Sequence, residues 1–168
     1  MNEMNVSNWL RLSALSTPVL KCLRDSGWEV GSRTPTGASE LLLNRFGFSM
    51  NEFGRVFLEN FGGYYFHSYY SRWFSMIGRR PEAGIDTRLL ERDLIRESCI
   101  TKPDCVSGQR LCCLGTICST SFIYVSAGGT MYILGLVNGF LGNTCNESLE
   151  VLFRRRFYGV NPIGNGPP

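Results

Sequence analysis

The chain has 168 residues, of which 43% are hydrophobic and 18% are charged. This length suits one domain, since domains commonly contain about 100–200 residues. The apolar content excludes intrinsic disorder, which combines few large apolar residues with a high net charge. The formal net charge of +3 is far smaller than the clustered basic charge of a dedicated nucleic-acid-binding domain. We therefore expect one globular domain with no direct nucleic-acid partner.

The start of the chain predicts an arm followed by a helix. Residues 1–15 carry weak signals, so we expect a loosely attached N-terminal arm. Thr17 is placed as an N-cap with Pro18 at the first helical position, and Gly27 is placed to end the helix. Trp28 follows directly and is expected to fold back as a core anchor.

Two more helices precede the first predicted strand. A second helix is predicted over residues 38–46, with Leu41, Leu42 and Arg45 dividing its core-facing side from its solvent-facing side. Ser49 and Glu52 have the spacing of a capping box, in which each side chain bonds the other residue's backbone N–H, and they open a third helix. Phenylalanines at helical spacing give that helix a strong apolar face. The aromatic stretch Tyr64–Tyr70 then predicts a strand.

The second half of the chain changes from helical to strand-like periodicity. A helix is predicted over residues 86–98, after a loop. Three buried strands are predicted after it, at Leu111–Ile117, Phe122–Val125 and Met131–Val137. Gly128 and Gly129 predict a tight primed hairpin turn between the last two strands. A second capping box, formed by Thr144 and Glu147, opens the final helix.

This order of elements indicates the α+β class, with several helices packed on an antiparallel sheet in a single domain. We assign residues 16–158 to that domain. Residues 159–168 contain three prolines and three glycines, and we expect a flexible tail there.

One long segment raises the question of a membrane. Leu111–Asn146 contains no charged residue. Glycines and polar residues nevertheless interrupt every window of about 20 residues, the length that a transmembrane helix needs. Met1–Leu15 shows no secretory signal pattern. We therefore predict strands in this segment, no membrane association and a cytoplasmic location.

The seven cysteines favour core packing over metal or redox chemistry. An odd count without a secretory signal is typical of reduced thiols. No Cys-x-x-Cys pair of the kind that structural zinc sites use occurs. We predict no metal and no cofactor. A thiol-dependent or metal-dependent enzyme that uses Cys112, Cys113 or Cys118 remains a third hypothesis, which metal analysis of the purified protein can test.

The residues offer little for catalysis. His67 is the only histidine, and Ser68 beside it would point to the other face of a strand, so the two cannot form a local dyad. The chain contains no nucleophile-elbow, phosphate-loop or zinc-protease motif. We therefore predict that the protein is not an enzyme, and we interpret His67 as a partly buried or interface residue.

The aromatic and arginine-rich stretch from Tyr64 to Phe74 is the strongest candidate for recognition. Aromatic residues and arginine are enriched at binding hot spots, and they also stack on single-stranded bases. Strand alternation would place about half of these rings in the core. Core packing, a protein interface and a nucleic-acid surface thus remain open on residue types alone. Our predicted partner contacts are Tyr69, Arg72, Trp73, Arg79 and Arg80.

The ordered set of motifs resembles the SUKH superfamily of immunity proteins, in particular its third subgroup. The resemblance covers about Thr17 to Phe157. Its residues are Leu23-Arg24-Asp25-Ser26-Gly27-Trp28, Gly31, Phe46-Gly47-Phe48, Phe57-Leu58-Glu59-Asn60-Phe61-Gly62-Gly63, Leu111-Cys112-Cys113-Leu114-Gly115, Gly129, Met131, Tyr132 and Leu141-Gly142. It implies a single α+β domain that binds and neutralises a cognate toxin, often a nuclease, in the bacterial cytoplasm. It carries over no catalytic or metal-binding residue.

The chain departs from this family in three respects. Cys113 stands where similar proteins tend to have proline, and the strand region lacks their acidic turn residues. The cysteine content is high. The net charge of +3 differs from the acidic face that would favour binding to a basic nuclease, although a local acidic patch could supply one. Candidate residues for that patch are Glu82, Asp86, Glu91 and Asp93. A SUKH-type scaffold or regulatory module with no toxin partner is the alternative function.

Overall fold

The computed structural model describes residues 5–67, 73–77, 110–117, 121–135 and 138–154, with only the backbone at positions 73–75. The helices in these ranges are α1 (Val6–Trp9), α2 (Thr17–Asp25), α3 (Gly37–Arg45), α4 (Glu52–Phe61) and α5 (Cys145–Arg154), with a short 3₁₀ turn at Leu12–Ala14. The strands are β1 (Tyr65–His67), β2 (Trp73–Met76), β3 (Leu111–Ile117), β4 (Ser121–Ser126), β5 (Met131–Gly135) and β6 (Gly139–Gly142). The fold is a single α+β domain with an antiparallel sheet, as predicted.

The sheet is a meander in which each strand pairs with its neighbours in sequence. Its order is β1-β2-β3-β4-β5-β6, and every neighbouring pair is antiparallel. The strands predicted at Leu111–Ile117 and around Phe122 are confirmed. Strand β6 was not predicted, because it has only four residues and glycine, which is depleted in strands, occupies both ends.

The first face of the sheet packs on the helices. Phe66 of β1 contacts Phe61 of α4 at 6.4 Å between ring centroids and Phe153 of α5 at 5.7 Å. Residues opposite one another in register share a face, so this face continues through Ile117 and Ile133. Both isoleucines are buried.

The second face carries a row of aromatic rings. Phe122 and Tyr124 of β4 are buried, and Tyr124 stands opposite Tyr132, which in turn stands opposite Phe140. The side chains of Tyr132 and Phe140 are half-buried and meet edge to face at 6.3 Å. Since β4 is buried on both faces, its sequence is a continuous apolar run rather than an alternating one.

The expectation of a loosely attached N-terminal arm is wrong for residues 5–15. Trp9 is fully buried, and its indole nitrogen donates to the carbonyl of Gly129 at 2.6 Å. Its ring meets Phe53 of α4 edge to face at 5.1 Å. The burial of Trp9 therefore helps to attach a segment whose sequence carries only weak signals. The predicted tail, residues 159–168, lies outside the described residues, as does the helix predicted over 86–98.

Two predicted helix starts are also wrong. The N-cap of α2 is Ser16, so Thr17 is already helical and Pro18 takes the second position. The N-cap of α4 is Asn51 rather than Ser49, and the Asn51 side chain accepts from the Gly54 N–H at 2.8 Å. Serine and asparagine are comparable N-caps, but the Asn51 amide also donates to the Val125 carbonyl at 3.1 Å, which joins this cap to the sheet.

The start of α5 confirms the second capping box. The Glu147 N–H donates to Thr144 Oγ1 at 3.2 Å, and the Thr144 N–H donates to Glu147 Oε2 at 3.3 Å.

The hairpin between β4 and β5 differs from the predicted primed turn. Only Gly129 of its two glycines has a positive φ, at 85°. The Ser126 N–H donates to the Thr130 carbonyl at 2.9 Å, so the loop has three residues and ends on the left-handed Gly129.

The described part of the chain contains no helix that is both long enough and apolar enough to cross a membrane. Most of the uncharged segment Leu111–Asn146 forms the four strands β3 to β6. The prediction of strands there is confirmed.

Helix α4 packs closely on the sheet at Gly54, and this contact yields a stability prediction. A Cβ at position 54 would overlap the sulfur of Cys112, so we expect Gly54→Ala to destabilise the fold by about 1–3 kcal/mol through overpacking. Helix propensity alone would favour alanine by about 1 kcal/mol. Urea denaturation measures the free energy of unfolding.

A matched control and a second variant test whether overpacking causes the destabilisation of Gly54→Ala. Gly37 begins α3 and has open space around its Cα, so Gly37→Ala should be neutral or mildly stabilising. Removing the sulfur with Cys112→Ala should make Gly54→Ala less costly in the double variant. A Gly54→Ala protein that is more stable than wild type would contradict this packing.

Candidate functional site

The C-terminal end of α4 fixes where the first strand begins. Its last carbonyl groups are satisfied by the segment that follows α2. The Trp28 indole donates to the Asn60 carbonyl at 2.8 Å, and the Thr34 hydroxyl donates to the Gly62 carbonyl at 2.9 Å. The Thr34 N–H donates to the Glu59 carbonyl at 2.8 Å. Because these groups are buried and bonded, the backbone enters β1 in one position. Trp28 is a core anchor, as predicted.

Strand β1 separates core from surface by simple alternation. Phe66 is 1% exposed, whereas Tyr65 before it is 44% exposed and His67 after it is half-buried. Tyr64, immediately before the strand, is buried and stacks on Phe66 at 5.5 Å. The aromatic stretch thus contributes to both the core and the surface within the described residues.

The structure describes little of the five predicted partner contacts. Trp73 begins β2, and its Cα stands opposite that of His67. Its side chain lies outside the described part of the molecule. The other four predicted contacts also lie outside the described residues: Tyr69, Arg72, Arg79 and Arg80. Their role as contacts stays a prediction. The structure places Trp73 on β2, the strand next to the one that carries Tyr65. Tyr65 is an exposed aromatic residue that the predicted set omits.

The signal for Tyr65 was present in the sequence. In a strand where Phe66 faces the core, its two neighbours must face the other way. The predicted contacts are instead arginines and the aromatic residues near them, and they do not include Tyr65. Tyr65 is one of three large hydrophobic residues that the described part of the chain exposes.

The other two exposed hydrophobic residues lie on the helical side. Val30 is 62% exposed, and Leu41 of α3 is 74% exposed. Of the residues predicted to divide core from solvent in α3, Leu41 and Arg45 are exposed and Leu42 is half-buried. The buried residues of α3 are Ser39 and Leu43. Because three leucines are adjacent here, helical spacing alone does not decide which of them faces the core. In the structure it is Leu43 that packs there.

Two surface ion pairs lie among the helices and the loop that follows α2. Arg55 of α4 lies 3.1 Å from the carboxylate of Glu40, and Arg33 lies 3.8 Å from that of Glu59. Exposed pairs of this kind contribute little stability, about 0–1 kcal/mol. The acidic patch suggested at Glu82, Asp86, Glu91 and Asp93 lies outside the described residues.

The described cysteines occupy apolar surroundings. Cys112, Cys113 and Cys145 are buried, and Cys22 is half-buried. Burial raises the pKa of the Cys112 thiol from 9.0 to about 11, and it also raises the pKa of Cys145. Reactive thiols show the opposite, a lowered pKa in partly exposed electropositive surroundings. No group of three metal-ligating side chains occurs among the residues that the structure describes.

The described residues thus form an α+β domain that exposes Val30, Leu41 and Tyr65 and buries the thiols of Cys112, Cys113 and Cys145. The family model of the SUKH-3 immunity proteins matches residues 15–155. This range is most of the chain, and the chain therefore belongs to the SUKH-3 immunity protein family. Searches of curated proteins and of solved structures returned no match.

The thiol environment predicts low reactivity in the native protein. With a pKa of about 11, roughly one Cys112 in a thousand is ionised at pH 8, and the thiolate is the nucleophile. We expect iodoacetamide at pH 8 to modify the half-buried Cys22 well before Cys112 and Cys145. Mass spectrometry of peptides locates the modified positions, and urea-unfolded protein is the control in which all three react. Fast native labelling of Cys112 would instead support the thiol-enzyme hypothesis.

Proposed function

We propose that the protein is an immunity protein that binds a cognate toxin domain in the cytoplasm and neutralises it by occlusion, without catalysis. The observation that carries this proposal is the family match over residues 15–155. The toxin would be covered over an interface of standard size, roughly 800 Å² per partner. A nuclease is one candidate for the toxin.

The arrangement of the described residues supports occlusion rather than chemistry. The fixed start of β1 and the buried ring of Phe66 hold Tyr65 on a rigid strand. A preorganised aromatic side chain loses little conformational freedom on binding, which favours affinity. The three described buried thiols are held in the core and contribute packing.

We propose the β1–β2 region as the contact surface. The contacts would be Tyr69, Arg72, Trp73, Arg79 and Arg80, together with Tyr65. The register supports this choice, because Trp73 stands opposite His67 and the exposed Tyr65 lies two residues away along β1. Tyrosine, tryptophan and arginine are the residues that dominate interface energetics.

The first test is co-expression of the tagged protein with a toxin domain encoded by the neighbouring upstream gene. We expect a stable complex on co-purification and rescue of growth from the toxicity of that domain. Toxin expressed with an unrelated tagged protein is the control. Failure of both binding and rescue would overturn the immunity role for this pair, and a SUKH-type scaffold with no toxin would become the better interpretation.

The second test maps the surface. Hot-spot truncations commonly cost 2 kcal/mol or more, so Trp73→Ala and Arg72→Ala should each weaken toxin binding by roughly 30-fold or more. Titration calorimetry measures the affinity, and circular dichroism checks the fold.

Matched controls come from surfaces outside the β1–β2 region. Arg24→Ala removes an exposed arginine from α2, and Leu41→Ala removes an exposed apolar side chain from α3. We expect neither to change the affinity. If Leu41→Ala weakens binding while Trp73→Ala and Arg72→Ala do not, the interface lies on the α3–α4 side and the proposed contacts are wrong.

A further inference from the structure

The N-terminal segment is a feature that the proposed function leaves unexplained. Residues 5–16 comprise α1 and the 3₁₀ turn, and almost all of them precede residue 15, where the family match begins. Helix α1 has four residues and the turn has three. Helices this short do not persist in water by themselves. The order of the segment therefore depends on its contacts with the domain.

The first contact is a socket for Trp9. The ring is fully buried against Phe53, and the indole donates to the Gly129 carbonyl. A Cβ on Gly129 would lie 3.0 Å from atoms of both rings, so the hairpin turn closes tightly over the tryptophan. This contact joins the segment to α4 and to the β4–β5 hairpin at one point.

The second contact is with α5. The Arg11 N–H donates to Asn146 Oδ1 at 2.9 Å, and Asn146 Nδ2 donates to the Arg11 carbonyl at 2.9 Å. One turn further along α5, Glu150 Oε1 accepts from the Ser16 N–H at 3.3 Å. A single asparagine side chain thus bonds both backbone groups of Arg11, as a partner strand would.

We infer that residues 5–16 form a strap that closes over the β4–β5 hairpin and opens as a unit without unfolding of the domain. The side-chain hydrogen bonds that join the strap to the domain are with α5 and the hairpin turn, and the strap adds no strand to the sheet. Its buried apolar residues are Trp9 and Leu15. Segments held this way open locally, at a lower free-energy cost than global unfolding. Opening would uncover Phe53 and the hairpin turn. The inference does not depend on the proposed function.

Hydrogen exchange of the full chain tests the strap. In Trp9→Ala, we expect the exchange of residues 5–16 and of the turn around Gly129 to rise on the order of 100-fold, because a large buried ring is lost. The amides of α4 and β3 should change by less than about threefold, since strap opening leaves their bonds intact.

Three controls accompany this variant. Trp9→Phe keeps a ring in the socket but loses the indole donor, so it should give a smaller rise in the same two regions. Asn146→Ala removes the two hydrogen bonds between α5 and the backbone of Arg11, so it should raise exchange in the strap selectively. Leu41→Ala, on an exposed site of α3, should leave both regions unchanged.

Three outcomes would overturn the inference. Unprotected exchange of residues 5–16 in the wild type would show that the strap is not closed. An equal rise in every element of Trp9→Ala, or failure of that variant to fold, would show that Trp9 belongs to the global core. Uniform rather than selective changes in Trp9→Phe and Asn146→Ala would lead to the same conclusion.

Discussion

The ring of Phe61 is the point where the helical half of the chain meets the sheet. It lies 5.7 Å from the ring of Trp28, 5.0 Å from Phe57 of its own helix and 6.4 Å from Phe66 of β1. Phe66 continues the series to Phe153 of α5. A single line of aromatic contacts therefore joins the loop after α2, helix α4, strand β1 and the last helix. Large rings bury the most apolar area per residue, and this makes them effective at connecting elements that are distant in sequence.

The end of α4 at Phe61 also determines where β1 begins and which of its residues are exposed. Phe61 is the last residue of α4, and the carbonyl groups around it are bonded to Trp28 and Thr34. Gly62 and Gly63 follow, and there is no room for a Cβ at Gly62 because backbone carbonyls lie against it. The chain must therefore leave the helix and enter β1 directly. The exposure of Tyr65 follows from the burial of Phe66, so core and surface are set by one alternation.

The sequence predicts the core elements well because their signals are local and strong. The continuous apolar run of β3, the capping box at Thr144 and the phenylalanine face of α4 each depend on neighbouring residues. The failures come from competition or from distant contacts. Asn51 displaced an alternative cap two residues away, and the packing of α3 selected Leu43 over Leu41. The docking of Trp9 depends on Gly129, which lies 120 positions along the chain, and no local pattern contains that information.

The candidate site was less predictable than the core for a related reason. The residues that carry the family resemblance are mostly interior ones: Trp28, Phe48, Phe57 and Phe61 are all at most 5% exposed. Gly27 and Gly63, which belong to the same motifs, have positive φ angles that only glycine adopts readily. Such positions define the shape of the domain, and proteins that bind different partners can share them. Partner choice depends instead on exposed side chains, where many substitutions leave the fold unchanged. The residues that carry the resemblance thus identify the class of protein through its core, whereas the contacts that we propose, such as Tyr65, lie on the surface.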